Sequence, residues 1–444
     1  MLPPQAMRTD VIPPQVQALC AALRARGHEA FVVGGCVRDL VRDDHPRIKD
    51  WDVTTSASPQ EVVRLFGRRA IPTGLQHGTV TVLSGQGDAR MPIEVTTYRG
   101  EGAYSDGRRP DTVTFVRTLE EDLARRDFTM NALALDPATG ELRDVYGGLA
   151  DIGARTIRAV GDPRARFGED GLRALRAVRF AAQLEFTVAP DTLAAIPETL
   201  DVFARVSMER VRDEMMKILS ARQPSRGLGL MAETGLLARA VPELAESLGV
   251  QQNRHHAFDV WTHTLATVDA ARNDPVVRWA ALLHDVAKPR TRAPKDGEPG
   301  EFTFFRHDLV GADMSEAILK RLRFPNRERD EIVGLVRIGP DAFPRLIDLR
   351  VADVVGRGRG EDPEGEIGEL RRRAEETIEK AQALKVSDLA IGGRDLMGVL
   401  RLPPGPLLGE ILRALLERVI DDPAQNEREA LLAAAREHVA ARNA

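Results

Sequence analysis

Two aspartates one residue apart, Asp50 and Asp52, flank Trp51 and follow a Gly34-Gly35 pair. In an extended strand residues i and i+2 point to one face, so this spacing holds two carboxylates side by side. Such a pair is unfavourable unless a cation sits between them. The Gly-Gly pair lets backbone N–H groups approach a ligand closely, and the short helix expected after it offers its N-terminus to phosphate. A phosphate cradle followed by paired carboxylates points to metal-assisted phosphoryl or nucleotidyl transfer. Glu94 is an acid inside an apolar, strand-like run over 93–98. An acid there is either solvent-facing or a ligand, and it is read here as the third carboxylate of the same site.

A second set of side chains could also do chemistry. His255, His256, Asp259, His263, His284, Asp285, His307, Asp308 and Asp353 gather most of the histidines of the chain. His284-Asp285 ends the apolar run WAALL, so a charged pair appears where a buried face stops. Imidazole and carboxylate donors suit Mg²⁺, Mn²⁺ or Ni²⁺. A third set is a basic segment over 155–180, in which Asp170, Arg173, Arg176 and Arg179 recur every three residues. That spacing predicts neighbours on one side of a helix, with Leu172, Leu175 and Val178 on the packed side. A solvated face of ion pairs has the same pattern.

The elements that must position these groups follow from periodicity and punctuation. A helix is predicted over 14–26, ended by Gly27 (apolar Val16, Leu19 and Leu23), then a strand over 31–33. Ser58-Pro59 predicts an N-cap and first turn for a helix to Phe66, closed by Gly67. Strands are predicted over 79–83, 93–98 and 112–116, and Thr118 with Glu121 predicts a capping box. Residues 98–110 carry Gly, Ser and Asp without periodicity and read as a loop. Beyond about residue 150 strand signals largely stop. Helices are expected over 207–219, through the histidine-bearing block, over 366–383 and to the C-terminus. The expectation is an α+β chain of four parts: a mixed-sheet head over 1–150, a helical neck over 151–225, a helical body over 226–365 and a helical tail over 366–444.

Composition narrows the class. The chain has 444 residues, 43% hydrophobic and 29% charged, with aromatics at only 5%. That suits a globular protein of several domains whose cores rest on aliphatic side chains. No run is long and apolar enough to span a bilayer, and the first residues lack a signal-peptide apolar region, so a cytoplasmic protein with no membrane partner is expected. The two cysteines, Cys20 and Cys36, cannot build a disulfide framework and fit a reducing compartment. A net charge of −5 argues against a generic nucleic-acid coat but leaves room for a local basic track.

Several ordered motifs together resemble one family. GGCVRD (34–39), DWDV (50–53), RRDFTMNA (125–132), the turn over 144–151, EDGLRALRAVRF (169–180) and ERVRDEMMKIL (209–219) look like class II tRNA nucleotidyltransferases, the CCA-adding enzymes, and the related bacterial poly(A) polymerases. The resemblance is dense over 28–220 and extends more weakly to IGGRDLM and GPLLGEIL near the C-terminus. It implies a polymerase-beta-like head in which Asp50 and Asp52 ligate Mg²⁺ and Glu94 completes the carboxylates. Gly34, Gly35 and Arg38 would hold the triphosphate, and Arg126, Asp127 and Asn131 the sugar and phosphates of the incoming nucleotide. The 98–110 loop would correspond to the segment needed for the switch to A addition. Implied partners are tRNA, CTP and ATP, in a monomer or homodimer.

The same resemblance makes the neck legible. Cytosine and adenine each present an amine donor beside a ring-nitrogen acceptor, and uracil and guanine reverse that order. A carboxylate can accept from the amine while a guanidinium donates to the ring nitrogen. Asp170 and Arg173 would thus admit CTP and ATP, with Arg176 and Arg179 supporting them or contacting RNA backbone. His263, His284, Asp285 and Asp353 resemble the H…HD…D pattern of HD-superfamily metal phosphohydrolases, and His307 would ligate or orient phosphate. That implies a phosphodiesterase or phosphatase for cyclic or terminal phosphates of RNA ends, or a degenerate HD fold kept as scaffold. Arg337-Ile338-Gly339 stands where many such proteins have a further histidine, which weighs against a two-metal hydrolase. Two other functions remain open: a poly(A) polymerase or A-adding enzyme, and an HD metal phosphohydrolase whose head only binds RNA.

Overall fold

Buried and partly exposed residues alternate along TVTVLS, one of seven strands that form a single sheet contributing to the core of the head. The strands are β1 (Ala30–Val33), β2 (Asp52–Thr55), β3 (Ala70–Gly74), β4 (Thr79–Ser84), β5 (Met91–Thr97), β6 (Leu133–Leu135) and β7 (Leu142–Asp144). Their order is β3-β4-β5-β2-β1-β6-β7. Only β2 and β5 pair in parallel; the other neighbours are antiparallel.

In this computed structural model the described residues are 7, 9–42, 48, 50–100, 114–252, 258–295, 298, 301–337, 343–357, 368, 389–400, 405–421 and 425–443. The expected 98–110 loop lies mostly outside them, as do His255, His256, residues 338–340 and all but residue 368 of the expected 366–383 helix.

Local rules set the helix ends. Helix α1 (Pro14–Arg24) buries Val16, Leu19, Cys20 and Leu23, and stops two residues before the expected end. Helix α2 (Gly35–Arg42) follows β1 directly. Helix α3 (Pro59–Phe66) has a Ser58–Glu61 capping box, and Gly67 follows with φ +54. Helix α4 (Leu119–Ala124) has the Thr118–Glu121 box. Each box satisfies two orphan donors of a first turn. The strand expected over 112–116 is absent among the described residues, where only an isolated bridge joins Arg99 to Phe115. Strands β3, β6 and β7 were not evident in the sequence; the last two have three residues each, too few to display a period.

After the sheet the chain is mainly helical: α5 (Gly148–Gly153), α6 (Pro163–Glu169), α7 (Leu172–Leu184), α8 (Pro190–Glu198), α9 (Leu200–Phe203), α10 (Met208–Leu219), α11 (Pro224–Glu233), α12 (Leu236–Ala240), α13 (Pro242–Ala245), α14 (Val260–Ala270), α15 (Pro275–Leu283), α16 (Lys288–Thr291), α17 (His307–Arg321), α18 (Asn326–Arg337) and α19 (Phe343–Gly356). Two small ladders interrupt them, 156–157 with 187–188 and 292–294 with 302–304. One continuous apolar core runs from Ile12 to Ala352. The chain divides into two units, Met1–Glu361 and Asp362–Ala444. The second has helices Gly393–Leu400, Pro406–Asp421 and Arg428–Asn443 around its own core of Leu396, Ile411, Leu415 and Leu431. No helix among the described residues is long and apolar enough to cross a membrane.

Candidate active site and a second, histidine-rich centre

The parallel pairing of β2 with β5 sets Asp52 opposite Glu94 in register. Asp50 lies just before β2 and is exposed, whereas Trp51 between the two aspartates is buried. Burial, then the nearby Glu94 charge, pushes the Asp52 carboxyl up to about 6, with Asp50 adding to the rise and Arg126 opposing it. Asp50 and Glu94 are exposed and Asp52 is half-buried, and like-charged carboxylates around a raised Asp52 are a condition a divalent cation relieves, so the three acids suit such an ion.

Gly34 explains the glycine pair. Its φ is +82, and a Cβ there would lie 3.3 Å from Arg126 Nη1 and 3.4 Å from Asp52 Oδ2. The turn therefore brings bare backbone against the acidic site. Arg126 is held by Asp122, a fully buried acid whose Oδ2 also accepts from Thr54 Oγ1 at 3.0 Å. Arg125 Nη2 donates to Asp122 Oδ1 at 2.7 Å. Burial raises the Asp122 carboxyl, but Arg125 and Arg126 outweigh it and hold it below its ordinary range. Asp122 was missed from sequence; its signal was an acid three and four residues before two arginines on one helix face.

The expected triphosphate and sugar residues join into a chain of polar contacts. Arg38 Nη1 donates to Asn131 Oδ1 at 2.9 Å, Asn131 Nδ2 donates to Asp127 Oδ1 at 3.0 Å, and Arg176 Nε donates to Asp127 Oδ2 at 2.8 Å. Arg38 also forks onto Asp39, both contacts at 2.9 Å. Asp127 is buried, yet Arg176 and the Asn131 amide hold its carboxyl down at about 2. This chain ties α2 in the head to α7 in the neck. Phe180 on α7 is a shared platform: guanidinium carbons of Arg38, Arg176 and Arg179 lie 5.2, 5.5 and 3.7 Å from its ring centre.

The expected one-sided Asp-Arg-Arg-Arg helix is corrected in two ways. Asp170 is in extended backbone, φ −140 and ψ 105, in the break between α6 and α7, so only the arginines ride on α7. Nor is that face solvated, because eleven of the 13 residues of α7 are buried, Arg173 and Arg179 among them. Each charge takes a partner from elsewhere. Arg173 bonds the carbonyls of Arg166 and Arg125 and pairs with Glu169. Arg179 pairs with Glu214 of α10 at 2.5 Å, and Asp170 with Arg210 of α10.

Cys36, in the glycine motif, is a packing residue: burial pushes its thiol up to about 12, far from a reactive thiolate.

The second centre draws its side chains from four helices. His263 comes from α14, His284 and Asp285 from the end of α15, Asp353 from α19, and His307 opens α17. His263 Nε2 lies 3.2 Å from His284 Nε2, 3.3 Å from Asp285 Oδ2 and 3.1 Å from Asp353 Oδ1. His284 Nε2 is 3.2 Å from Asp285 Oδ2, and His307 Nε2 is 3.6 Å from Asp285 Oδ1. The His284 Nδ1–H donates to the Ala281 carbonyl at 2.8 Å, which leaves the Nε2 lone pair of a neutral ring for a ligand. Burial pulls His263 down, but Asp285 and Asp353 outweigh it and hold its pKa at about 9. His263, His284 and Asp285 offer ligand atoms within 4.8 Å of one another, with Asp353 Oδ1 3.1 Å from His263 Nε2, and this geometry and donor set suit one divalent ion, whose binding would have to displace the His263 proton. Lys288, missed from sequence, is buried with its Nζ 2.7 Å from Asp285 Oδ2 and 2.6 Å from Gln252 Oε1.

Comparison with known proteins finds related families along most of the chain. The family models that match are "Poly A polymerase head domain" over residues 30–158, "Probable RNA and SrmB- binding site of polymerase A" over 185–248, "HD domain" over 243–389 and "tRNA nucleotidyltransferase domain 2 putative" over 366–435. The CCA-adding enzyme of Levilactobacillus brevis is 36% identical, covering 92% of this chain and 94% of that protein. That of Geobacillus stearothermophilus is 37% identical, covering 95% and 96%. A crystal structure of the Bacillus stearothermophilus CCA-adding enzyme in complex with CTP superimposes with a TM-score of 0.70 at 30% identity, covering 97% of this chain and 99% of that one. The Thermotoga maritima CCA-adding enzyme complexed with tRNA shares the fold, with a TM-score of 0.58 at 18% identity and 96% of each chain covered. Near-complete coverage by relatives above 30% identity makes this chain a member of the CCA-adding enzyme family of nucleotidyltransferases.

Proposed function

We propose that the chain adds CMP and AMP, from CTP and ATP, to the 3′ end of tRNA without a nucleic-acid template. The observation that carries this reading is the register pairing of Asp52 with Glu94 beside the Gly34 turn, in a chain of this family. Asp50, Asp52 and Glu94 would hold Mg²⁺, which would favour deprotonation of the primer 3′-hydroxyl and offset charge on the leaving pyrophosphate. Gly34 and Gly35 give the triphosphate close access to backbone. Arg126, fixed by Asp122, lies beside Asp52 and neutralises phosphate charge. Arg38, Asn131 and Asp127 form the polar floor for sugar and phosphates, and the Arg176 contact keeps Asp127 ionised. Asp170 accepts from the exocyclic amine of cytosine or adenine, and Arg173 donates to the neighbouring ring nitrogen. The proposed parts are a head over 1–150, a neck over 151–225, an HD body over 226–365 and a tRNA-binding tail over 366–444, in a monomer or homodimer of the cytoplasm.

The test is Asp52→Asn. CMP incorporation into tRNA lacking its 3′ end should disappear while the protein still folds; undiminished incorporation would refute the site.

A second activity is proposed for the histidine-rich centre, on the convergence of His263, His284, Asp285 and Asp353. Holding Mg²⁺, Mn²⁺ or Ni²⁺, it would hydrolyse cyclic or terminal phosphates of RNA ends, and His307, whose Nδ1 is fixed by the Phe304 carbonyl at 2.8 Å, would ligate or orient the phosphate.

A further inference from the structure

We infer that Arg210 is a positioning residue for base selection, acting by locking the Asp170 carboxylate in one orientation with a single acceptor site left. The inference rests on the proposal that Asp170 reads the base.

The argument is an inventory of acceptor positions. An ionised carboxylate has about four lone-pair sites. Asp170 Oδ1 accepts from the backbone N–H of Leu172 at 3.0 Å and from Arg210 Nη1 at 3.2 Å. Asp170 Oδ2 accepts from Arg210 Nη2 at 2.6 Å. The Arg210 fork and one helix-terminal N–H thus occupy three positions and leave one, on Oδ2. Two anchors fix the plane of the group, and a guanidinium fork does so with directional bonds that an ammonium lacks.

The backbone beneath is as constrained as the side chain. The Asp170 carbonyl accepts from the Arg173 N–H at 2.9 Å. Next in sequence, Gly171 packs so tightly that a Cβ would meet Phe203 N at 2.5 Å. Asp170 and Arg210 are both only partly exposed, with side chains at 16% and 28%. Rotation about the Asp170 side chain is the remaining freedom, and Arg210 removes it.

Selectivity follows from that immobility. A fixed carboxylate with one open position accepts one N–H, which the exocyclic amine of cytosine or adenine supplies. Uracil and guanine would set a carbonyl oxygen against it, lone pair facing lone pair. A carboxylate free to rotate evades the clash and accepts instead from the ring N–H of uracil or guanine. Rejection of those bases therefore depends on holding the acceptor still, since an unmet buried polar group costs more than a mobile one.

The experiment measures single-nucleotide incorporation from CTP and from UTP by the full chain, comparing kcat/KM for wild type, Arg210→Lys, Arg210→Ala, Asp170→Ala and the Asp170→Ala/Arg210→Ala double variant. Loss of the fork should cut CTP-over-UTP discrimination by about tenfold or more, for both Lys and Ala, mainly through easier use of UTP and a higher KM for CTP. In the Asp170→Ala background, removing Arg210 should change discrimination by less than about twofold, because its partner is gone. Wild-type discrimination in Arg210→Lys would overturn the inference, as would an undiminished Arg210 effect in the absence of Asp170. If Asp170→Ala itself keeps full discrimination, the base-reading role of Asp170 fails, and the inference with it. If Arg210→Ala does not fold, Arg210→Lys decides.

Discussion

Asp52 of β2 and Glu94 of β5 are register partners across the one parallel pair in the sheet, and the charge of one raises the pKa of the other. Two acids more than forty positions apart in sequence thus become neighbours through strand pairing. Glu94→Gln should return the Asp52 carboxyl toward its ordinary range, because a like charge is removed. Transfer of CMP should nevertheless fall by at least about 100-fold, since a carboxylate of the proposed metal site is lost. NMR titration of Asp52 and steady-state kinetics read the two effects separately.

The raised Asp52 pKa predicts the pH dependence of metal affinity. Burial and the Glu94 charge push the Asp52 carboxyl up to about 6. Below that pH a proton occupies the carboxylate and must leave before a divalent ion binds, so affinity should drop by up to about tenfold per pH unit as pH falls below 6. Above 6 it should level off. Isothermal titration with Mn²⁺ between pH 5 and pH 8 checks the sign.

The Asp127–Arg176 contact joins head to neck, and its pKa shift has the opposite sign. The folded-state value is depressed to about 2. Its stabilising contribution is therefore fully present above the unfolded value of about 4 and is lost as pH falls through about 2. Arg176→Met leaves a buried carboxylate without its guanidinium and should cost about 3 kcal/mol, with part of that recovered in the Asp127→Asn/Arg176→Met double variant. Chemical denaturation of the four proteins measures the coupling.

At Gly34, alanine meets both a left-handed backbone and two charged neighbours. Gly34→Ala should destabilise the fold by about 1–2 kcal/mol and reduce transfer more than that loss of stability explains. Denaturation midpoints set beside kcat/KM test the difference.

At the histidine-rich centre, His284→Ala and Asp285→Ala should each abolish hydrolysis of 2′,3′-cyclic phosphate ends and tight Mn²⁺ or Ni²⁺ binding there, while CMP transfer persists. Hydrolysis surviving both changes would remove the site from the account.

The sequence carried much of this because the chemistry is locally encoded. Gly34-Gly35, Asp50-x-Asp52 and His284-Asp285 are contiguous, and the Ser58 and Thr118 caps announce their helices within four residues. Where it fell short, the determinant was pairing at a distance. Arg210 is forty residues from Asp170, and Glu214 lies on a different helix from Arg179, so spacing could not reveal that the neck arginines are buried and partnered. Regular i+3 spacing suggested one helical face, but α6 and α7 are separated at Asp170, and the adjoining Gly171 packs against Phe203, a residue distant in sequence. The three-residue strands β6 and β7 are fixed by neighbours in the sheet rather than by any period of their own.

The most direct test of the central claim is to incubate the full chain with tRNA lacking its 3′-terminal CCA, with CTP and ATP together, and to sequence the products. Addition of C, C and A followed by a stop is the predicted result. A long A tail, addition of A alone, or no incorporation alongside retained phosphohydrolase activity would contradict it.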